Sequence, residues 1–284
     1  MAPRPLHTFD VVRTEDLNPH MVRVVFGGPG FDTFAPKEFT DSYVKLVFFP
    51  AGVDVDALPK PLTNDSFSGL PAEQQPTIRT FTVRDADPVA RELTIDFAIH
   101  GHGGVAGPWA RAARPGDRLY IMGPNGAYAP NPDADWHLLV GDEAALPAIT
   151  VALAALPAGA VGRVFLETAG PEDVIDLPAP AGVQVNWVFR GGAADEVGDD
   201  RSGDNSPVIA AVRAAEWLPG QVHVFIHGEA QTVMHNLRPY IRRERGVPAA
   251  WAASISGYWR RGRTEESFKT WKRELAAAEG IDPA

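Results

Sequence analysis

The chain contains no cysteine among its 284 residues. This excludes disulfide bonds, thiolate catalysis and cysteine-ligated iron–sulfur clusters, so a redox function would depend on a bound organic cofactor. Cations are also scarce, with 26 Lys and Arg against 36 Asp and Glu and a net charge of -10. General nucleic-acid binding needs a cationic footprint, so we expect no nucleic-acid partner.

Long apolar runs are missing as well. No stretch of about 20 apolar residues is present to span a bilayer, and the opening residues MAPRPLHTF lack the apolar segment of a signal peptide. We therefore expect a cytoplasmic protein that is not inserted into a membrane. A content of 45% hydrophobic and 22% charged residues is typical of a globular protein, and the length is sufficient for two domains.

The first half of the sequence is rich in short segments that are typical of β-strands. Six of them, separated by turn residues, predict an antiparallel barrel. These segments are residues 7–13, 21–27, 43–49, 78–84, 93–99 and 118–122. Residues 51–77 interrupt the series with prolines and acidic residues, which predicts a poorly ordered excursion over the surface.

In the second half, apolar segments of strand length alternate with helical patterns, which predicts a parallel sheet with crossover helices. The predicted strands are residues 136–140, 161–167, 185–189 and 222–227, and the predicted helices are 146–156, 206–218 and 230–245. Pro239 should kink the last helix, and the polar residues 190–207 predict a flexible loop. The boundary between the halves lies near residues 130–133, so we expect domains at 1–131 and 132–284.

The string RTFTVR, from Arg79 to Arg84, places a cation, an aromatic ring and hydroxyls on one extended segment. In a strand, Arg79, Phe81 and Val83 would share one face, with Thr80, Thr82 and Arg84 on the other. Phe81 could then stack on a planar ring, Arg79 could bind a pyrophosphate as a planar fork, and Thr82 could reach the edge of the ring. The same composition also fits an ordinary strand.

A glycine-rich turn, HGHGGVAGPWA at residues 100–110, follows one of the predicted strands. Gly107 allows close backbone approach, Pro108 is favoured at the first helical position, and the free amides of a helix N-terminus bind anions. The turn therefore predicts a phosphate site. The histidines at 100 and 102 have no third ligand beside them, so we expect no metal site.

These motifs together resemble a known family. The order RTFTVR, DFAIHGHGGVAGPWA, GPNGAY, LLVGDEAALPAI, FIHGEA and ISGYWRRGRTEE is similar to the siderophore-interacting flavoproteins, a branch of the ferredoxin-NADP reductase superfamily. The resemblance covers residues 9 to about 266. It implies a ferredoxin-reductase-like fold with an N-terminal antiparallel β-barrel FAD domain and a C-terminal α/β parallel-sheet domain that binds NAD(P)H.

The resemblance also implies an activity and a set of contacts. FAD would pass electrons from NADH, NADPH or reduced ferredoxin to the iron(III) of a ferric siderophore, so that iron(II) is released from the siderophore inside the cell. We expect the protein to be a monomer. The expected FAD contacts are Arg79, Thr80, Phe81, Thr82, Asp96, Ala98, His100, Gly104, Gly107, Trp109 and Ala110. The expected nucleotide contacts are Gly141, Asp142, Glu143, Leu146, Gly228 and Glu229. Lys45, Arg260 and Arg261 are expected to bind the anionic chelate, since the chain as a whole is acidic; in the alternative, Lys45 snorkels and the arginines form surface ion pairs.

The expected nucleotide site departs from a phosphate loop. Asp142 and Glu143 would repel a diphosphate, and no G-x-G-x-x-G motif follows a strand. Glu167 ends the second strand with no cation close behind it, which favours NADH over NADPH. Two alternatives stay open: a flavoprotein that binds the chelate or an electron carrier without efficient NAD(P)H oxidation, and a flavin reductase that uses FAD as a diffusible substrate.

The C-terminal residues predict a helix. Thr264 can act as its N-cap, and Phe268, Trp271 and Leu275 mark one face. The basic side chains of the helix, which are Lys269, Lys272 and Arg273, are expected to form a solvated face, although they could also reach the substrate.

Overall fold

The computed structural model describes residues 3–99 and 104–278. The chain divides into two compact units. The first unit comprises Met1–Asn131, Leu146–Ala158 and Glu172–Pro180, and the second comprises Pro132–Ala145, Gly159–Pro171 and Ala181–Ala284. Among the described residues, no helix is long and apolar enough to cross a membrane.

An antiparallel sheet of seven strands forms the first unit, as predicted. Its strands are β1 (His7–Asn18), β2 (Met21–Gly27), β3 (Tyr43–Phe48), β4 (Thr77–Thr82), β5 (Asp85–Asp87), β6 (Glu92–Ala98) and β7 (Arg118–Asn125). The strand order is β4-β3-β7-β1-β2-β6-β5. The sheet also carries the short helices α1 (Asp65–Ser68) and α2 (Ala106–Ala112).

The two end strands of this sheet are consecutive in the chain. β4 pairs with β3, and β5 pairs with β6. Between them the amide of Val83 donates to Ser42 O at 2.7 Å, and the amide of Arg84 donates to Thr94 O at 2.9 Å. One bent segment therefore closes the sheet into a barrel, with Phe9, Phe26 and Phe97 buried in its core. The sequence did not predict β5.

Residues 51–76 are packed, so the prediction of a poorly ordered excursion was wrong. Phe67 is buried among Leu6, Val47 and Met122. The side-chain amide of Gln75 donates to Phe67 O at 3.0 Å and to Leu70 O at 2.7 Å. A few apolar residues spaced among the prolines are enough to build this small satellite core.

A parallel sheet of five strands forms the second unit, as predicted. Its strands are β8 (Trp136–Gly141), β9 (Val161–Thr168), β10 (Gly182–Phe189), β11 (Val222–Glu229) and β12 (Ser254–Trp259), in the order β10-β9-β8-β11-β12. The helices of the second half of the chain are α3 (Leu146–Ala155), α4 (Pro207–Ala214) and α5 (Glu265–Ala278). The sequence did not predict β12.

The predicted helix at residues 230–245 has a different hydrogen-bond pattern. It forms two π-helical segments, Gln231–Leu237 and Tyr240–Glu244, on either side of Pro239. Proline has no amide hydrogen and cannot maintain the regular ladder of an α-helix. Single 3-10 turns occur at Pro29–Asp32, Val55–Ala57, Ala72–Gln74, Pro171–Asp173, Asp199–Arg201, Gly203–Asn205 and Ala249–Trp251.

Candidate functional site

Strand β4 presents a cation, a hydroxyl and an aromatic ring in consecutive positions. Thr80 is exposed, Arg79 and Phe81 are half-buried, and Thr82 is buried. The Phe81 ring lies 4.6 Å from the Phe97 ring, so part of its surface packs on the core. Arg79 Nη1 donates to Ile78 O at 2.9 Å, which orients the guanidinium along the strand.

Lys45 lies next to this strand. In the pairing of β3 with β4, Lys45 stands directly opposite Thr80, and Leu46 stands opposite Arg79. Directly opposite residues of antiparallel strands have neighbouring side chains. The fold therefore brings a predicted substrate cation beside the predicted cofactor strand, although Lys45 and Arg79 are 34 positions apart in the sequence.

The carboxylate of Asp96 contacts two arginines. Its carboxylate accepts hydrogen bonds from Arg23 Nε at 2.7 Å and Arg23 Nη2 at 2.9 Å, and Arg84 Nε lies 3.9 Å away. The hydrogen bond with Asp96 raises the pKa of Arg23. The guanidinium of Arg23 therefore stabilises the buried carboxylate of Asp96 in the barrel wall. A role of Asp96 toward FAD stays a prediction. Ala98, at the end of the same strand, is half-buried and pairs with Met21.

The glycine-rich turn leads into α2, but His100 lies outside the described residues. Helix α2 begins at Ala106, so Pro108 is its third residue and the prediction of a first position was wrong. Gly104 has φ of +81°, and apart from its chain neighbours no described residue has an atom within 4 Å of a Cβ placed there. At Gly107 a Cβ would meet Ile99 Cδ1 at an ordinary 3.6 Å. Packing by the described residues therefore does not require glycine at 107, and a role of Gly107 toward FAD stays a prediction.

The ring of Trp109 is held by core aromatics. It stacks on Phe26 with ring centroids 6.1 Å apart and an angle of 7°, and it lies 5.6 Å from Phe48. Ala110 is buried on the same helix. The residue types of this region fit FAD: Arg79 is a planar cation of the kind that binds phosphate, Thr80 has an exposed hydroxyl, Phe81 is aromatic, and Gly104 and Gly107 carry no side chain.

In the second unit, Asp142 is buried and accepts three hydrogen bonds. Oδ1 accepts from the amide of Ala144 at 3.0 Å. Oδ2 accepts from the amide of Glu229 at 2.9 Å and from Trp259 Nε1 at 2.7 Å. Burial and the neighbouring Glu143 raise the pKa of Asp142 to about 7. The carboxylate that should repel a diphosphate is thus engaged with the protein.

Glu143 and Glu167 are tied together by Arg190. Arg190 donates to Glu143, and its Nη1 lies 3.6 Å from Glu167 Oε1. Glu167 also accepts from Ser206 Oγ and, at 3.1 Å, from the amide of Val208. Burial raises the pKa of Glu167. Glu167 is therefore bound internally, and the preference for NADH over NADPH stays a prediction.

The same network shows that the prediction of a flexible loop at residues 190–207 was wrong. Arg190 is 3% exposed, and Ala193, Ala194 and Val197 are buried as well. Arg201 Nη1 donates to Arg190 O at 3.2 Å. Arg190 was not among the residues predicted from the sequence, although a single cation directly after a predicted strand indicates a possible partner for buried carboxylates.

Two openings of different size lie at the carboxyl ends of these parallel strands. The crevice beside Gly141, Asp142, Gly228 and Glu229 has a volume of only about 20 Å³. This is room for a water molecule. Leu146, the first residue of α3, is buried.

The larger opening, called the arginine cleft below, has a volume of about 440 Å³. It is lined by Asp199, Ser202, Gly203, Asp204, Asn205, Glu229, Gln231, Arg260, Arg261 and Gly262. The lining has no aliphatic or aromatic side chain, so the cleft suits a polar or charged ligand.

The two arginines of the cleft have different surroundings. Arg260 Nη1 donates to Gln231 Oε1 at 2.8 Å, and its guanidinium lies 4.4 Å from the Trp271 ring centroid. Arg261 Nη1 donates to Asp199 Oδ1 at 3.0 Å and also to Ser202 Oγ. Both are therefore oriented by the protein at the edge of the cleft.

Helix α5 begins as predicted, because the amide of Ser267 donates to Thr264 Oγ1 at 3.3 Å. Lys272 does not lie on a solvated face, in contrast to the prediction. Its Nζ donates to Ser256 Oγ at 3.0 Å, and burial lowers its pKa. Arg273 is exposed, as expected. Among the described residues, no group of three or more His, Asp or Glu side chains is arranged to hold a metal ion.

Comparisons with known proteins agree with this architecture. A model described as the siderophore-interacting FAD-binding domain matches residues 10–128, and a model described as siderophore-interacting protein matches residues 134–262. An uncharacterized protein of Mycobacterium tuberculosis is 65% identical over 279 residues, which cover 98% of this chain and 99% of that protein. Ferric vibriobactin reductase ViuB of Vibrio cholerae is 32% identical over 264 residues, 91% of each chain.

The crystal structure of the siderophore-interacting protein SipS from Aeromonas hydrophila has a TM-score of 0.77 at 29% identity and covers 96% of this chain and 99% of that chain. Both halves of the sequence thus match one family, and the order of the two sheets is that of a ferredoxin-reductase-like flavoprotein. The chain belongs to the siderophore-interacting protein family and carries that family's FAD-binding domain.

Proposed function

We propose that this protein is an FAD-dependent reductase of ferric siderophores that releases iron(II) in the cytoplasm. The observation that carries the proposal is the pairing of β3 with β4. It places Lys45 directly opposite Thr80, so a cation suited to an anionic chelate lies on the face of β4 that carries Thr80 and Thr82, opposite to the face of Arg79 and Phe81. The family match supports the same assignment.

In the proposed reaction the side chains bind and orient. Arg79 would hold the diphosphate of FAD through charge-assisted hydrogen bonds, Thr80 and Thr82 would contact the ring system, and Phe81 would pack on it. FAD, when bound, supplies the conversion between two-electron and one-electron transfer. Lys45, Arg260 and Arg261 would attract the anionic chelate. Iron stays within the siderophore as substrate, so no side chain need act as a metal ligand.

We propose NADH, NADPH or reduced ferredoxin as the donor, residues 1–131 as the FAD domain, residues 132–284 as the donor domain, and a monomer as the working form. A second candidate is a flavoprotein that binds the chelate or an electron carrier without efficient NAD(P)H oxidation. The small crevice at Asp142 favours it, because about 20 Å³ leaves no space for a diphosphate.

An anaerobic visible spectrum of the purified protein tests these candidates. We expect a flavin spectrum that bleaches with NADH, NADPH or reduced ferredoxin, each added separately. It should return when a ferric siderophore is added, as an iron(II) trap develops colour. Flavin that none of the donors bleaches would favour the binding protein. Flavin that is lost during purification but turned over when added would favour a reductase of diffusible FAD.

A further inference from the structure

The pairing of β11 with β12 is irregular at its carboxyl end. Gly228 pairs with Gly257, but Glu229 pairs with Trp259, so Tyr258 is an extra residue on β12. A bulge of this kind bends the strand and changes the direction of the side chains that follow it. Arg260 and Arg261 follow immediately and line the arginine cleft.

Asp142 fixes this bulge from the neighbouring strand. It follows the last residue of β8, and its Oδ2 accepts from the Glu229 amide at 2.9 Å and from Trp259 Nε1 at 2.7 Å. One carboxylate thus joins the ends of β8, β11 and β12 around the bulge.

Gly228 makes room for this contact. Its φ is +147°, and a Cβ there would lie 2.8 Å from Asp142 Oδ2. Only glycine combines this backbone conformation with the close approach of the carboxylate. The set of contacts from Asp142 to Glu229 and Trp259, called the bridge below, therefore depends on both Asp142 and Gly228.

Hydrogen bonds of Glu229 and Gln231 connect the bridge to Arg260 and Arg261. The amide of Arg261 lies 3.4 Å from Glu229 Oε1, and the side chain of Glu229 accepts from the Thr232 amide at 2.9 Å. Arg260 is held by Gln231, two residues beyond Glu229. A shift of the bulge would therefore move both arginines relative to the rest of the cleft.

We propose that Asp142 is a positioning residue for substrate capture, whose carboxylate holds the bulge at Tyr258 and thereby keeps Arg260 and Arg261 at the arginine cleft. The inference rests on the proposed role of these arginines in binding the ferric chelate. It gives Asp142 a role through the arginines, where the sequence had suggested a direct nucleotide contact.

Two substitutions test the bridge, and a third is the matched control. Asp142→Asn replaces the carboxylate by an amide of the same shape, and Trp259→Phe removes the indole N–H donor while keeping an aromatic ring. Asp135→Asn is the control, because Asp135 Oδ2 accepts from the Gln221 amide at 2.6 Å near the opposite end of the β8–β11 pair, away from the cleft.

The measurements use the holoprotein with its FAD. Hydrogen exchange of a peptide covering residues 258–262 reports the bulge directly. The Kd and KM for iron(III) tris(2,3-dihydroxybenzoate), an anionic chelate, report substrate capture. We expect faster exchange in Asp142→Asn and Trp259→Phe, with Kd and KM raised about tenfold in Asp142→Asn and kcat unchanged. Asp135→Asn should match the wild type in all these values.

The outcomes separate this inference from the proposed function. If Arg260→Ala and Arg261→Ala weaken chelate binding while Asp142→Asn and Trp259→Phe do not, the proposed function stands and the role of Asp142 is refuted. If both arginine variants bind the chelate like wild type, the proposed contacts fail and the inference fails with them. Should Asp142→Asn not fold, Trp259→Phe decides: unchanged exchange at residues 258–262 would refute the bridge.

Discussion

Replacing Asp142 by asparagine should change how the stability of the second unit depends on pH. Asp142 is buried with Glu143, Glu167 and Arg190 as charged neighbours. An ionised carboxylate in this environment is unfavourable, because burial and Glu143 oppose its charge. Asparagine keeps the shape of the side chain but cannot ionise.

The size of the effect follows from the pKa. Asp142 has a pKa of about 7 in the folded protein, against an ordinary value of 3.8. The folded state therefore binds this proton more tightly than the unfolded state, and the stability that the proton contributes is lost as the pH rises through about 7. Between pH 5 and pH 8 the wild type should lose roughly 2 to 3 kcal/mol from this group, and Asp142→Asn should lose none of it.

Urea unfolding followed by tryptophan fluorescence measures this difference. Six of the seven tryptophans lie in the second unit, so the signal reports mainly on that unit. The lowered pKa values of His137, His223 and His227 come mainly from burial, with no contribution from Asp142. We therefore expect their contributions to cancel when the two free energies of unfolding are subtracted. Asp135→Asn serves as the control for exchanging a carboxylate for an amide at the other end of the β8–β11 pair.

The expected result is a free-energy gap between wild type and Asp142→Asn that shifts in favour of the variant as the pH rises from 5 to 8. A gap that stays constant within about 0.5 kcal/mol would refute the reasoning. It would mean that the carboxylate has the same pKa in the folded and unfolded chains.

Three further predictions concern other parts of the molecule. Arg79→Ala should weaken FAD binding by about 2 kcal/mol, measured as the flavin that stays bound after dialysis. The control Arg91→Ala, at an exposed position, should bind FAD like the wild type. Equal flavin content in both folded variants would refute the proposed contact between Arg79 and the diphosphate. Gly228→Ala should lower the free energy of unfolding by more than about 1 kcal/mol because of its φ of +147° and the 2.8 Å approach to Asp142, while Gly69→Ala, where a Cβ meets no described atom within 4 Å, should change it little. Burial lowers the pKa of His137 to about 4, so the stability contributed by its neutral form is lost as the pH falls from 6.5 to about 4. His137→Gln should therefore reduce the fall in Tm between these pH values, and an unchanged fall in Tm would contradict this.

The sequence predicted the two sheets because each has a local signature. Strands with alternating apolar residues in the first half, and buried apolar runs between helical patterns in the second, follow from periodicity alone. The start of α5 was predicted at Thr264 because an N-cap depends only on residues within one turn, and the amide of Ser267 donates to it.

Strand β12 had no such signature. The segment SISGYW is short and contains a glycine, so its strand character depends on pairing with β11. The order of residues 190–207 was equally hidden. Arg190 is buried only because Glu143, 47 positions earlier, and Glu167 lie beside it in the folded chain.

By itself, the sequence determined the β-rich first half, the alternating second half and the Arg79–Thr82 strand. These follow from composition and from contacts between neighbours in the chain. Only the tertiary structure decided that Lys45 faces Thr80, that Asp142 joins three strand ends, and that Arg260 and Arg261 line one cleft. Each of these depends on register and burial between distant segments, and a pKa of about 7 for Asp142 arises only when folding removes water from its carboxylate.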